Sequence, residues 1–147
     1  MQEVLAALDG LCASPEVDPE CIAVLGCSRG GLLAFDTATE RPSELRVRVL
    51  MAPTSGRGRL ERALGEMVLI QASSLLLVAD NDLVQDDHVA LVAQVAGALE
   101  AADKEVQKIL YPPFTTPGNQ DGQMRFDEVR ESCWGDALSF LAMHLTD

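Results

Sequence analysis

The chain has 147 residues, 48% of them hydrophobic, which suffices for one ordinary domain with a real core. A mean hydropathy of +0.11 excludes a disordered or solvating polypeptide. Eleven Lys and Arg against 23 Asp and Glu leave a formal charge of −12. Phosphate recognition needs clustered cations, and those here are scattered along the chain (Arg46, Arg48, Arg57, Arg59, Arg62), so neither nucleic acid nor an anionic membrane is an expected partner.

The first element is a helix, because Val4, Leu5, Leu8 and Leu11 fall on one face at helical spacing. Ser14-Pro15 and Asp18-Pro19 break it. Cys21–Leu25 is a continuous apolar run of strand length ended by Gly26, the pattern of a strand buried on both faces. A helix is predicted from about Arg29 to Thr39, closed by Arg41-Pro42. Val47–Met51 forms the next strand, stopped by Pro53, and Leu60, Ala63, Leu64 and Met67 mark a short helix. Leu75–Val78 reads as a third buried strand. Val92, Val95, Ala96 and Leu99 define an amphipathic helix opened by Asp86-Asp87, whose charges suit a helix N-terminus. Val106–Tyr111 is a fourth strand, ended by Pro112-Pro113. A loop from Phe114 to about Val129 precedes a last helix marked by Trp134, Leu138, Leu141 and Leu145. Strands alternating with helices predict an α/β fold: a four-stranded, mostly parallel sheet flanked by helices, in a single domain over 1–147.

No apolar run approaches the length of a membrane span, and the N-terminus lacks the basic region of a secretory signal. Four cysteines (Cys12, Cys21, Cys27, Cys133) show no metal-ligand spacing, so reduced thiols and a cytoplasmic location are expected.

Gly26-Cys27-Ser28-Arg29-Gly30 lies between a buried strand and a helix, the context of a G-x-S-x-G nucleophile elbow. A sharp turn there lifts the Ser28 hydroxyl above the sheet at a helix start. The backbone at Arg29 and Gly30 then becomes a candidate oxyanion and substrate-binding segment. A plain glycine-rich turn is the alternative. Arg29 is a candidate for binding an anionic substrate group, or an ordinary helix-start charge.

Val17–Gly31, with its Val-Asp-Pro turn, apolar strand and elbow, resembles the dienelactone-hydrolase-like branch of the α/β-hydrolase superfamily. Leu75–Asp82 resembles the strand and loop that deliver the acid of that family's triad, and the acid matches Asp82. The C-terminal helix at Trp134–Leu141 fits the same pattern. The resemblance implies a truncated α/β-hydrolase fold, since only the family's C-terminal half, from the helix before the elbow onward, is represented. It also implies a missing base, because Gln123 stands where the family has its histidine. Glutamine cannot accept the serine proton.

Two histidines remain, His88 and His144. His88 follows Asp82 and is the candidate base beside Ser28 and Asp82; His144 lies on the last helix as an ordinary imidazole. Cys27 is expected to pack beneath the turn as an inert thiol. Asp80, Asp82, Asp86, Asp87 and His88 form an acidic cluster, read either as a solvated rim or as a metal site supporting a metal-assisted hydrolase. The principal expectation is a small serine-type hydrolase of activated esters or lactones, acting on a small-molecule substrate without a cofactor. A non-catalytic relic or assembly module is the other alternative. Losing the preceding strands would expose Cys21–Leu25 as a sheet edge, so a homodimer or higher homo-oligomer is expected.

Overall fold

A computed structural model of the chain describes residues 1–83, 87–113, 115 and 133–145. Helix α1 (Gln2–Cys12) leads into strand β1 (Ala23–Cys27) and helix α2 (Arg29–Glu40). Strand β2 (Val47–Met51) is followed by a short helix α3 (Arg59–Arg62), which tightens into a 3₁₀ segment, Ala63–Leu69. Strand β3 (Ser73–Ala79), helix α4 (His88–Ala101), strand β4 (Val106–Tyr111) and helix α5 (Cys133–Leu145) complete the order. The four strands pair in sequence order, β1-β2-β3-β4, and every pair is parallel. Parallel neighbours require a crossover each time, and α2, α3 with its 3₁₀ extension, and α4 supply them.

Period-two alternation sends successive side chains of each strand to opposite faces. On one face Leu50, Leu76 and Val78 meet Leu32 and Phe35 of α2 and Leu91, Val95 and Leu99 of α4. On the other, Val47, Val49, Met51, Leu75 and Leu77 meet Cys133, Ala137 and Phe140 of α5. The two central strands are almost wholly buried, whereas β1 and β4 are partly exposed edges among the described residues. That is why Val47–Met51 and Leu75–Val78 read as unbroken apolar runs.

The bounds of three elements differ from the sequence expectation. Strand β1 begins at Ala23 and continues through Gly26 and Cys27, which pair with Leu50 and Met51. Gly26 is therefore a strand residue, and the turn comes after it. Strand β3 starts two residues earlier, at Ser73, because Val47 and Arg48 extend the ladder to Ser73 and Ser74. Helix α4 starts at His88, with Asp87 as its N-cap accepting a hydrogen bond from the Ala90 N–H. Asp86 and most of the predicted loop from Phe114 to Val129 lie outside the described residues. The sheet is parallel throughout, where the sequence pattern suggested mostly so.

Arg48 breaks the apolar pattern at the centre of the sheet. Its side chain is fully buried and projects on the Leu50 face. Its Nε donates to Ser74 Oγ at 2.7 Å, and its guanidinium sits 5.2 Å from the centre of the Phe35 ring. Both terminal nitrogens are buried without a hydrogen-bond partner among the described residues. Burial pushes this guanidinium down to about 9. An unpaired buried charge costs more than a cation–π contact returns. Ser74 Oγ keeps a bond to the Ala72 carbonyl, so removing the arginine orphans nothing. Arg48→Met should stabilise the fold by about 1–4 kcal/mol, measured by urea denaturation at neutral pH.

Candidate functional site

Ser28 joins β1 to α2 with φ 53° and ψ −115°, a left-handed backbone that a residue with a Cβ adopts only under strain. Three hydrogen bonds hold it there. The Ser28 N–H donates to the Met51 carbonyl at 2.9 Å, prolonging the β1–β2 ladder by one step. Its carbonyl accepts from the Thr54 N–H at 3.1 Å and from the Leu32 N–H at 3.2 Å. The hydroxyl does not cap the helix. Arg29 opens α2, so its N–H has no partner within the helix and lies beside the serine.

The turn is possible because of glycine. A Cβ on Gly26 would lie 2.1 Å from the Gly30 carbonyl oxygen, and one on Gly31 would lie 3.0 Å from Pro53. Neither neighbour is a flexible side-chain end. Gly26→Ala should cost at least about 3 kcal/mol by forcing the backbone apart, read as a lowered denaturation midpoint. Gly30→Ala meets nothing within 4 Å and serves as the control, with a far smaller loss.

Asp82 follows β3 after a tight turn in which its N–H donates to the Ala79 carbonyl. Its Oδ1 lies 2.8 Å from His88 Nδ1, and the two side chains are 1% and 2% exposed. With the carboxylate ionised, Nδ1 carries the proton and Nε2 is left as acceptor. Asp82 Oδ2 and His88 Nε2 are both buried without a partner among the described residues. The structure thus brings Asp82 and His88 together. Ser28 follows β1, and β2 lies between β1 and β3, so the strand ends that carry Ser28 and Asp82 are about 10 Å apart, backbone to backbone. No hydrogen bond among the described residues joins Ser28 to His88.

The remaining sequence candidates are dispersed. His144 stacks on Phe140 at 4.3 Å and lies 3.7 Å from Glu105, on the far helix. Cys27 packs against the α5-side core. None of the four cysteines forms a disulfide among the described residues, and burial pushes the Cys133 thiol up to about 11. Asp80 is exposed, and Asp87 serves as the α4 cap. Among the described residues no group of three or more His, Cys, Asp or Glu is placed to hold a metal ion; Asp86 lies outside them, as does Gln123. No helix among the described residues is long and apolar enough to cross a membrane.

Two features carry no sequence signal. Tyr111, at the end of β4, donates to Asp136 of α5 at 2.5 Å, and its hydroxyl is pushed up by burial and by that carboxylate. Arg57 and Arg59, read along the chain as scattered charge, share with Arg29 the lining of a cleft at the start of α2. Only the glycines around Arg57 hint that this loop is built to a shape.

No protein-family model matches the sequence, and neither does any curated protein. Solved structures do match. A dienelactone hydrolase from Anabaena variabilis superposes with a TM-score of 0.65 at 22% identity, over 96% of this chain and 57% of its own. An esterase from Pyrococcus furiosus gives 0.71 at 14%, over 99% and 61%. The dipeptidyl peptidase 4 of Porphyromonas gingivalis gives 0.75 at 15%, over 98% and 22%. The fold is that of the α/β-hydrolases, and the chain spans 22% to 61% of the length of these three.

Proposed function

We propose that the chain is a serine-type hydrolase of activated esters or lactones, with Ser28 as nucleophile and His88, oriented by Asp82, as base. The observation that carries this reading is the buried Asp82–His88 hydrogen bond at 2.8 Å. In the tautomer that donates from Nδ1 to Asp82, Nε2 is the proton acceptor, the role a serine nucleophile needs filled. The strained turn at Ser28 adds support, since such strain concentrates where a side chain must be presented. The fold shared with esterases and a dienelactone hydrolase supports the substrate class.

In this mechanism Ser28 Oγ attacks the ester carbonyl carbon while its proton passes to His88 Nε2. The Arg29 N–H donates to the oxyanion as it forms, with Gly30 leaving room for the acyl group. Collapse of the tetrahedral intermediate breaks the bond to the leaving oxygen, which takes the proton from His88. Water, deprotonated by the same nitrogen, then releases the acyl group as a carboxylic acid. Substrate must draw Ser28 and Nε2 together, directly or through one water, because catalytic hydrogen bonds often tighten only in the complex.

The runner-up is an assembly or binding module without turnover, favoured by the burial of His88 Nε2 without a hydrogen-bond partner among the described residues. Labelling of the intact protein with a fluorophosphonate decides between them. Hydrolysis requires a single adduct on Ser28 that is lost in Ser28→Ala, whereas an unlabelled protein turns the assignment to the non-catalytic module. His88→Gln should lower kcat on an aryl ester by about 10²–10⁴-fold, and an unchanged kcat removes His88 from the mechanism. Self-association through the β1 edge belongs to the same reading, since an unpaired parallel edge invites a partner strand. Sedimentation at micromolar concentration should give at least a dimer, and a monomeric mass excludes it.

A further inference from the structure

The cleft beside the Ser28 turn runs against the charge of the molecule. The protein carries about two acids for each base, with a net charge of −12. Yet three arginines, Arg29, Arg57 and Arg59, line this one cleft of about 740 Å³, and among the described residues no Asp or Glu lines it. A volume of that order suits a small molecule. Leu32 and Leu33 of α2 form an apolar wall, and Thr54 adds a hydroxyl.

The three cations are not equivalent. Arg59 is committed to the buried Asp36, 3.1 Å away, and so anchors the loop to α2. Arg29 and Arg57 are exposed and have no acidic partner among the described residues. Arg57 is held in place by its backbone, with φ 61° between Gly56 at 59° and Gly58 at 79°. Glycine takes such a backbone freely, so the cost falls on Arg57, the residue with a Cβ. The loop is kept by the Leu60 N–H on the Ser55 carbonyl at 3.0 Å, by Gly58 N–H on Ser55 Oγ at 3.4 Å and by Arg62 on the Arg57 carbonyl at 3.3 Å. It also fits closely, since a Cβ on Gly56 would strike Leu32 Cδ2 at 2.4 Å. The cleft borders the serine: Arg29 follows Ser28, and the Thr54 N–H bonds its carbonyl.

We propose that Arg29 and Arg57 bind the anionic end, a carboxylate or phosphate, of the ester whose carbonyl is presented to Ser28. This rests on the hydrolase reading for the ester, but not for the anion. Guanidinium matches either oxyanion with paired N–H donors. A local positive spot on an acidic surface concentrates small anions there while the net charge repels polyanions. Leu32 and Leu33 favour a short apolar body between the anion and the ester.

Two measurements on the full chain test it. In the first, succinate and inorganic phosphate are titrated separately into the Ser28→Ala protein, followed by calorimetry at low salt. Saturable binding of either anion is expected, at least tenfold weaker in Arg57→Gln and largely retained in Arg57→Lys. The tighter of the two identifies the group. No binding of either, or equal binding by wild type and Arg57→Gln, overturns the site. In the second, aryl hemisuccinate and neutral aryl butyrate are compared as substrates. The ratio of their kcat/KM values should fall at least tenfold in Arg57→Gln, and an unchanged ratio overturns the substrate role. If no ester is turned over while the anion binds, the hydrolase reading fails and the anion site stands.

Discussion

The hydrogen bond from the Ser28 N–H to the Met51 carbonyl is the constraint on which the upper end of the sheet depends. It extends the β1–β2 ladder one residue past the last strand pair and commits Ser28 to its left-handed backbone. With the N–H fixed on one side, the carbonyl is directed to Thr54 and Leu32, so one residue ties the exit of β1, the start of α2 and the chain leaving β2. Gly26 and Gly31 exist for that closeness, because a Cβ at either would meet backbone or proline. The same tie places the Thr54–Arg59 loop against α2 and so creates the cleft lined by Arg29 and Arg57.

Much of the fold is legible in the residues because the central strands are buried on both faces. Val47–Met51 and Leu75–Val78 are apolar for a reason that is global, and a local reading recovers it. The boundaries are less legible. Gly26 looks like a terminator on its own, but its place in the ladder is set by Leu50 on the neighbouring strand. Ser73 and Ser74 look like loop residues, and Arg46 and Arg48 of the preceding segment draw them into β3: the Ser73 N–H bonds the Arg46 carbonyl, and Ser74 Oγ takes the Arg48 Nε proton. Arg48 itself is written in the sequence as one charge in a strand. Nothing local tells that it is buried.

The site is legible in its parts and not in their distances. The G-x-S-x-G spacing locates Ser28, and the strand–loop pattern locates Asp82. That His88 lies on Asp82 depends on where α4 begins, which the Asp87 cap sets, a geometry that composition does not encode. The gathering of Arg29 with Arg57 and Arg59 is equally invisible along the chain, since β2 and its connecting turn separate them.

The two constellations make different demands on the protein. The Asp82–His88 pair is dry, and its unpartnered Oδ2 and Nε2 atoms raise the cost of keeping it buried. A pair held only for stability would be better replaced by apolar side chains. The arginine cleft is open, with Arg57 in a left-handed backbone, and its charges are opposite in sign to the net charge of the molecule. Both therefore carry a cost to the fold, beyond the ends of β1, β2 and β3. Costs of this kind at one end of a sheet are where local rules of folding are broken, and such breaks gather at functional or strained sites.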